Sequence, residues 1–272
     1  MTLVLQVSDP HFGTERAPVV DALRRLVREQ HPDLLLLSGD ITQRATRAQF
    51  TAARAFIDSL HVPHMLAIPG NHDIPLLNLA ARLCRPYARY RASFGTALEG
   101  EYENGDALLL ALNTTRRYRH VDGELSAEQI ERVAARLQQT SSALWRIVVT
   151  HQPLAVPHSQ DAKDLLHGHE KALLSWAEAG VDVVIGGHIH LPYVLAMHER
   201  LPALTRPLWV VQAGTAVSSR VRVGAPNSVN LLRIAAMATA PRTLRVERWD
   251  YSDTGHCFEC VCVDQLQPPP AR

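Results

Sequence analysis

Five short blocks of oxygen and nitrogen donors punctuate the chain: Asp9-Pro10-His11, Gly39-Asp40, Gly70-Asn71-His72-Asp73, His151 alone, and Gly187-His188-Ile189-His190. Asp9, Asp40 and Asn71 offer carboxylate or amide oxygens, and His11, His151, His188 and His190 offer imidazoles, with no thiolate among them. Such a donor set suits Mn, Fe, Co or Zn in a working centre rather than a cysteine-bound structural zinc. Seven side chains exceed the needs of one tetrahedral ion. They suffice for two ions about 3.5 to 4 Å apart that share one carboxylate. The chemistry implied is hydrolysis at a dinuclear centre.

Each block follows an apolar run of strand type: Leu3 to Val7, Leu34 to Leu37, Met65 to Ile68, Ile147 to Val149, and Val181 to Ile185. In open α/β sheets ligands collect outside the carboxyl ends of the strands, so five loops distant in sequence can converge on one point. Asp-x-His, Gly-Asp and Gly-His-x-His each occur by chance in ordinary loops. All five in order, each behind a strand run, exclude coincidence.

These blocks resemble the signature of the calcineurin-like metallophosphoesterase superfamily over residues 9 to 190. Within it, Gly70-Asn71-His72-Asp73, Gly187-His188-Ile189-His190 and Gln212-Ala213-Gly214-Thr215-Ala216 are most similar to class III cyclic nucleotide (cAMP) phosphodiesterases. The resemblance implies two divalent ions, Mn, Fe or Zn. Asp9, His11, Asp40 and His190 would hold the first, and Asp40, Asn71, His151 and His188 the second. Asp40 would be the bridge, with a bridging water or hydroxide attacking phosphorus in line. His72 would face the substrate phosphate beside Asn71 and protonate the leaving group, with Asp73 or Asp9 balancing its charge. The implied fold is a four-layer α/β/β/α sandwich of two mixed sheets flanked by helices.

The elements needed to position these blocks are legible as helices between the strands. They are expected over 18–30, opened by Pro18; over 46–60, with Phe50, Ala53, Phe56, Ile57 and Leu60 on one face; over 126–138, opened by the capping-box pattern Ser126 to Gln129; and over 169–179, stopped at Gly180. After His190, strand runs at Leu208 to Gln212, Val229 to Ile234, Leu244 to Trp249 and Phe258 to Val263 suggest a second, mostly antiparallel sheet. Residues 1–265 are expected to form a single domain and 266–272 a disordered, Pro-rich tail.

A net charge of +1 with only 20% charged residues leaves no electrostatic footprint for extended nucleic acid. A strand and a donor within the first nine residues leave no room for a signal peptide, and no apolar run reaches the length of a membrane span, so a soluble cytoplasmic protein is expected. Cys84, Cys257, Cys260 and Cys262 are too few for a disulfide framework; the last three read as a terminal strand with one or two buried thiols. The strand-rich C-terminal region offers an edge that a homodimer could use. Arg82 to Arg91 reads as a solvated helix face, whereas Arg116, in the loop after the run ending at Asn113, is a candidate for binding substrate. His158, His167 and His169 lie in a segment that should pass near the site.

The expected function is therefore a dinuclear metal-dependent phosphodiesterase acting on a cyclic nucleotide or related small phosphodiester. Three other enzyme substrates compete on the same metals: a UDP-diacylglucosamine-type lipid diphosphate, a glycerophosphodiester, or DNA. A binding scaffold on the same fold is the non-enzymatic alternative, and the complete donor set opposes it.

Overall fold

The computed structural model describes residues 1–204, 206–236 and 242–267. Five strands carry the donor blocks at their carboxyl ends: β1 (Thr2–Val7), β2 (Leu34–Ser38), β3 (His64–Ile68), β6 (Trp145–Val149) and β7 (Val183–Gly186). The others are β4 (Gly100–Glu103), β5 (Ala107–Ala111), β8 (Tyr193–Ala196), β9 (Trp209–Gln212), β10 (Ser228–Ala235), β11 (Thr243–Ser252) and β12 (Cys257–Leu266). They form two six-stranded mixed sheets, ordered β12-β11-β10-β1-β2-β3 and β4-β5-β6-β7-β9-β8. β1, β2 and β3 run parallel, as do β5, β6, β7 and β9, so all five donor loops emerge at parallel-strand termini.

The period-two alternation of these buried strands sorts their side chains into three cores. Leu3, Leu5, Val7, Leu35 and Leu37 pack outward against α1 (Ala17–Gln30) and α2 (Arg47–Asp58) through Val19, Leu23, Leu26, Phe50 and Phe56. Val4, Leu34, Leu36 and Ile68 point the other way, onto Leu109, Ile147, Val149 and Ile185 of the facing sheet. Leu108, Leu110, Val148 and Val184 meet α5 (Ala127–Gln138) and α6 (His169–Ala179) through Ile130, Val133, Leu173 and Trp176. Helix, sheet, sheet, helix is the resulting order, the sandwich that the sequence implies.

Helix ends follow local chemistry. Thr46 and Ser126 each accept the backbone N–H three residues on, with Gln49 and Gln129 closing the capping boxes, and Gly180 ends α6 in the left-handed region. Three shorter helices, α3 (Leu79–Cys84), α4 (Ala88–Phe94) and α7 (Met197–Arg200), complete the set.

The C-terminal strands depart from expectation. They form no sheet of their own: β9 lies parallel to β7, whereas β10 to β12 extend the first sheet antiparallel from β1. Cys260 and Cys262 are exposed and Cys257 partly so, because β12 is an edge strand; no buried terminal thiol exists. Leu266, assigned above to the tail, closes β12 and is buried; residues 268–272 lie outside the described residues. No helix among the described residues is long and apolar enough to cross a membrane.

Candidate metal centre

The donor loops leave their strands through an unusual backbone. Asp9, His11, Asp40, His188 and His190 all have φ between 42° and 73°, the left-handed region that non-glycine residues seldom occupy. Such strain persists where the surrounding structure enforces it, and it concentrates at functional sites. Two neighbouring glycines permit the convergence. A Cβ on Gly70 would sit 2.1 Å from the Asp40 backbone nitrogen, and one on Gly187 would sit 1.9 Å from Ser8 Oγ. Only glycine lets these loops touch.

The side chains meet in two groups, which a third, His11, Asp40 and His72, links. Asp9, His11 and His190 bring donor atoms within 4.8 Å of one another, as do Asp40, His151 and His188. His11 Nε2 lies 3.0 Å from His190 Nε2 and 3.8 Å from Asp40 Oδ2; His151 Nε2 lies 3.4 Å from Asp40 Oδ1 and 3.3 Å from Asn71 Oδ1. The outer ring nitrogens are fixed by backbone carbonyls: His151 Nδ1 donates to Ser38 O at 2.8 Å and His190 Nδ1 to Arg220 O at 2.6 Å. Such bonds leave the Nε2 lone pairs facing inward, as second-shell partners of metal-binding histidines do. Asp9 Oδ1 and His188 Nδ1 are buried with no hydrogen-bond partner. Inward lone pairs with too few protons to share are a cavity that suits cations, so the residues present fit the metals that the fold implies.

Electrostatics reinforce this. Burial alone would raise Asp9 and Asp40, but the adjacent imidazoles, chiefly His190 for Asp9 and His151 for Asp40, hold both carboxyls well below their usual range. His151 is pushed up to about 9 because Asp40 outweighs its burial, and Asp9 raises His190 in the same way. Burial drives His11 down to about 3 and, with the neighbouring His151, drives His188 down to about 4. Each carboxylate is thus held ionised by a neighbouring imidazole, and a proton held on His151 is one that an arriving cation would displace.

Asp73 does not face His72 and cannot balance its charge. Its carboxylate accepts the backbone N–H groups of Ile41, Thr42 and Gly70 and the Thr42 hydroxyl, all at 2.8 to 3.0 Å, stapling the Asp40 loop to the Asn71 loop. Asp9 turns one oxygen, Oδ2, to Ser8 Oγ and the His188 N–H and the other toward His190 Nε2. His72 lies within reach of His11 and Asp40, yet both of its ring nitrogens are engaged elsewhere, by the Gln43 carbonyl and by Arg220.

The centre forms the floor of a cleft of about 780 Å³ whose walls include Arg44, His72, His120, Lys163, Arg220 and Arg222. Arg116 is not among the lining residues. Its guanidinium turns back onto Gln129 Oε1 and the Asn113 and Thr115 carbonyls, where it secures the loop. Arg82 and Tyr90 depart from the solvated-face reading: Arg82 is buried against the carbonyls of Pro75 and Arg119, and Tyr90 packs on Phe50 and Phe94. His158, His167 and His169 stay off the wall; Gln160, Asp161, Lys163 and Asp164 of the same segment form it. Arg220 and Arg222 went unread in the sequence, although the stretch Ser218-Ser219-Arg220-Val221-Arg222 begins one residue after Gly214-Thr215-Ala216.

A family model described as calcineurin-like phosphoesterase matches residues 2–192, and the chain belongs to that family. Over 205 residues it is 28% identical to a protein of Synechococcus sp. named a probable cyclic nucleotide phosphodiesterase, an alignment covering 71% of this chain and 76% of that one. A glycerophosphodiester phosphodiesterase of Enterobacter lignolyticus is 24% identical over 202 residues, covering 69% and 70%. Among solved structures, a purple acid phosphatase from yellow lupin seeds superposes with a TM-score of 0.72 at 14% identity, covering 97% of this chain. The chain spans about half of the lupin protein, 53% of its length, and that likeness bears on the fold.

Proposed function

We propose that the chain is a dinuclear metal-dependent phosphodiesterase whose substrate is a cyclic nucleotide or a related small phosphodiester. The observation that carries this reading is the convergence of Asp9 Oδ1 with the Nε2 atoms of His11 and His190 beside Asp40, unrelieved by any other partner for Asp9 Oδ1. Asp9, His11, Asp40 and His190 would hold one ion, and Asp40, Asn71, His151 and His188 the other. When bound, such a pair activates water and neutralises charge on a phosphoryl group.

The remaining work falls to this chain's own side chains. His72 Nδ1 donates to the Gln43 carbonyl at 2.9 Å and its main-chain N–H to Asp40 Oδ1 at 2.7 Å, which aims Nε2 into the cleft. Once the Arg220 guanidinium turns from Nε2 to a bound phosphoryl group, a proton on Nε2 can pass to the leaving oxygen while Nδ1 keeps its hold on Gln43. The Asp73 staple keeps Asp40 and Asn71 in register. Asp161, gripped at 2.9 and 3.0 Å by Arg222, ties the far wall to the loop bearing Arg220.

One observation favours a glycerol-type diester as the second reading: among the described residues no Phe, Tyr or Trp lines the cleft, so a base would have only an imidazole such as His72 or His120, or an arginine, to stack on. The relative named a glycerophosphodiester phosphodiesterase supports the same alternative. Release of nucleoside monophosphate from a panel of cyclic nucleotides by Mn-loaded protein, beside bis(p-nitrophenyl) phosphate and glycerophosphoethanolamine, tests both. Turnover of a cyclic nucleotide that is lost in Asn71→Ala is expected. Turnover of the glycerol diester in its absence establishes the second reading.

A further inference from the structure

We infer that Arg220 is the anion-gripping side chain of a subsite for the non-bridging oxygens of a phosphodiester, placed beside His72; the inference rests on the phosphodiesterase reading above. The backbone of Arg220 is referenced to the metal centre at two points. Its carbonyl accepts from His190 Nδ1 at 2.6 Å, and its N–H donates to Ser218 Oγ at 3.2 Å. Ser218 Oγ lies 2.7 Å from Thr215 Oγ1, which donates to the Asp9 carbonyl at 2.6 Å. A shift of this loop therefore disturbs two candidate metal-binding residues, and the arginine is anchored with them.

Its guanidinium lies across the open side of the centre. Nη1 is 3.0 Å from His72 Nε2 and 3.0 Å from Gln43 Oε1. Since a guanidinium only donates, both of these contacts are accepted from Arg220. Neither partner of Arg220 is a carboxylate. Among the described residues it has no carboxylate partner, and its Nε and Nη2 make no hydrogen bond, whereas Arg222 two residues on is paired with Asp161 through Nη2. A permanently charged, planar donor fork that lines a cleft without a counterion is a receptor for an oxyanion. Phosphate is the class that fits, because the exposed guanidinium borders both His72 and the metal floor, and a phosphoryl group lying there reaches all three.

Full-length Mn-loaded protein tests the subsite through two readouts: steady-state hydrolysis of bis(p-nitrophenyl) phosphate, and calorimetric binding of inorganic phosphate. Arg220→Ala is expected to raise both KM and the phosphate Kd by about tenfold to a hundredfold, the loss of one charge-assisted hydrogen-bonded contact, with kcat less affected and bound Mn unchanged. Arg220→Lys should recover part of the affinity, since it restores the charge without the fork. Phosphate affinity within twofold of wild type in Arg220→Ala would overturn the inference, and so would loss of bound Mn, which would mark a scaffold role through His190. Wild-type protein that binds phosphate through Arg220 yet leaves the diester intact would keep the subsite and remove the phosphodiesterase reading.

Discussion

Asp73 and His151 carry opposite kinds of work within a few ångströms of Asp40, and single substitutions separate them. Asp73 is a fold residue, and removing its carboxylate leaves the buried N–H groups of Ile41, Thr42 and Gly70 without an acceptor. Each orphaned donor costs on the order of 1 kcal/mol or more, so Asp73→Ala should destabilise the protein by about 3 kcal/mol, read by urea unfolding. His151→Ala or Asp40→Ala should instead abolish hydrolysis and lower metal content, while His72→Ala should cut turnover with metal retained. Full activity in all three would sink the metal-centre assignment. Proton linkage adds a test with a fixed sign. His151, held up to about 9 beside Asp40, is charged at pH 7 and must shed its proton to ligate. Affinity for Mn should therefore rise as pH increases from 7 toward 9, with proton release visible as a buffer-dependent calorimetric enthalpy; affinity that is flat or falls across that range contradicts the donor assignment.

At the scale of elements, the acid limb of stability should report on the edge of the first sheet. Glu247 on β11 is buried between Arg233 of β10, at 2.8 Å, and Arg245, with Trp249 Nε1 at 3.2 Å. Burial opposes its charge, but these partners hold its carboxyl below the ordinary range. A depressed carboxylate contributes stability that is present above its unfolded pKa and lost as pH falls through its folded one. Glu247→Gln should therefore lower stability at pH 7 and flatten the decline below about pH 4.5, near the ordinary carboxylate value, in a series of denaturant melts. Ser126→Ala, which removes the cap of α5, should cost about 1 kcal/mol. How much of this was legible from sequence depended on range. Strands β1, β2, β6 and β7 and their donor blocks were readable because a parallel strand buried on both faces is an apolar run that stops where its loop begins, and β3, an edge strand, kept enough of that run in Met65 to Ile68. The partners of β9 and β10 were not, since pairing across the sheet is nonlocal: nothing within Leu208 to Gln212 says that it will lie beside β7, or within Val229 to Ile234 that it will lie beside β1. Arg116 was misplaced for a related reason. The strand-end rule found its loop, but Gln129, thirteen residues on, sets where its side chain points.

For the molecule as a whole, the centre lies on the seam between two sheets that share few covalent constraints. β1, β2 and β3 bring Asp9, His11, Asp40 and Asn71 from one sheet, while β6 and β7 bring His151, His188 and His190 from the other. Beneath that floor the sheets already meet through buried polar contacts: Gln6 Nε2 donates to the Gly186 carbonyl at 2.9 Å, and Asn230 Nδ2 donates to Gln6 Oε1 at 3.0 Å and the Gln212 carbonyl at 3.3 Å. Cations held by both halves would cross-link them in the folded state alone. Binding to the native state at a hundredfold excess over Kd stabilises by about 2.7 kcal/mol. For a chain of this size that corresponds to a rise in Tm of about 5 to 10 °C. Mn should therefore raise the melting temperature of the wild type by that amount, a chelator should reverse it, and the shift should vanish in Asp40→Ala, whose carboxylate reaches donors from both sheets. An unchanged melting temperature across millimolar Mn would mean that no cation bridges the seam.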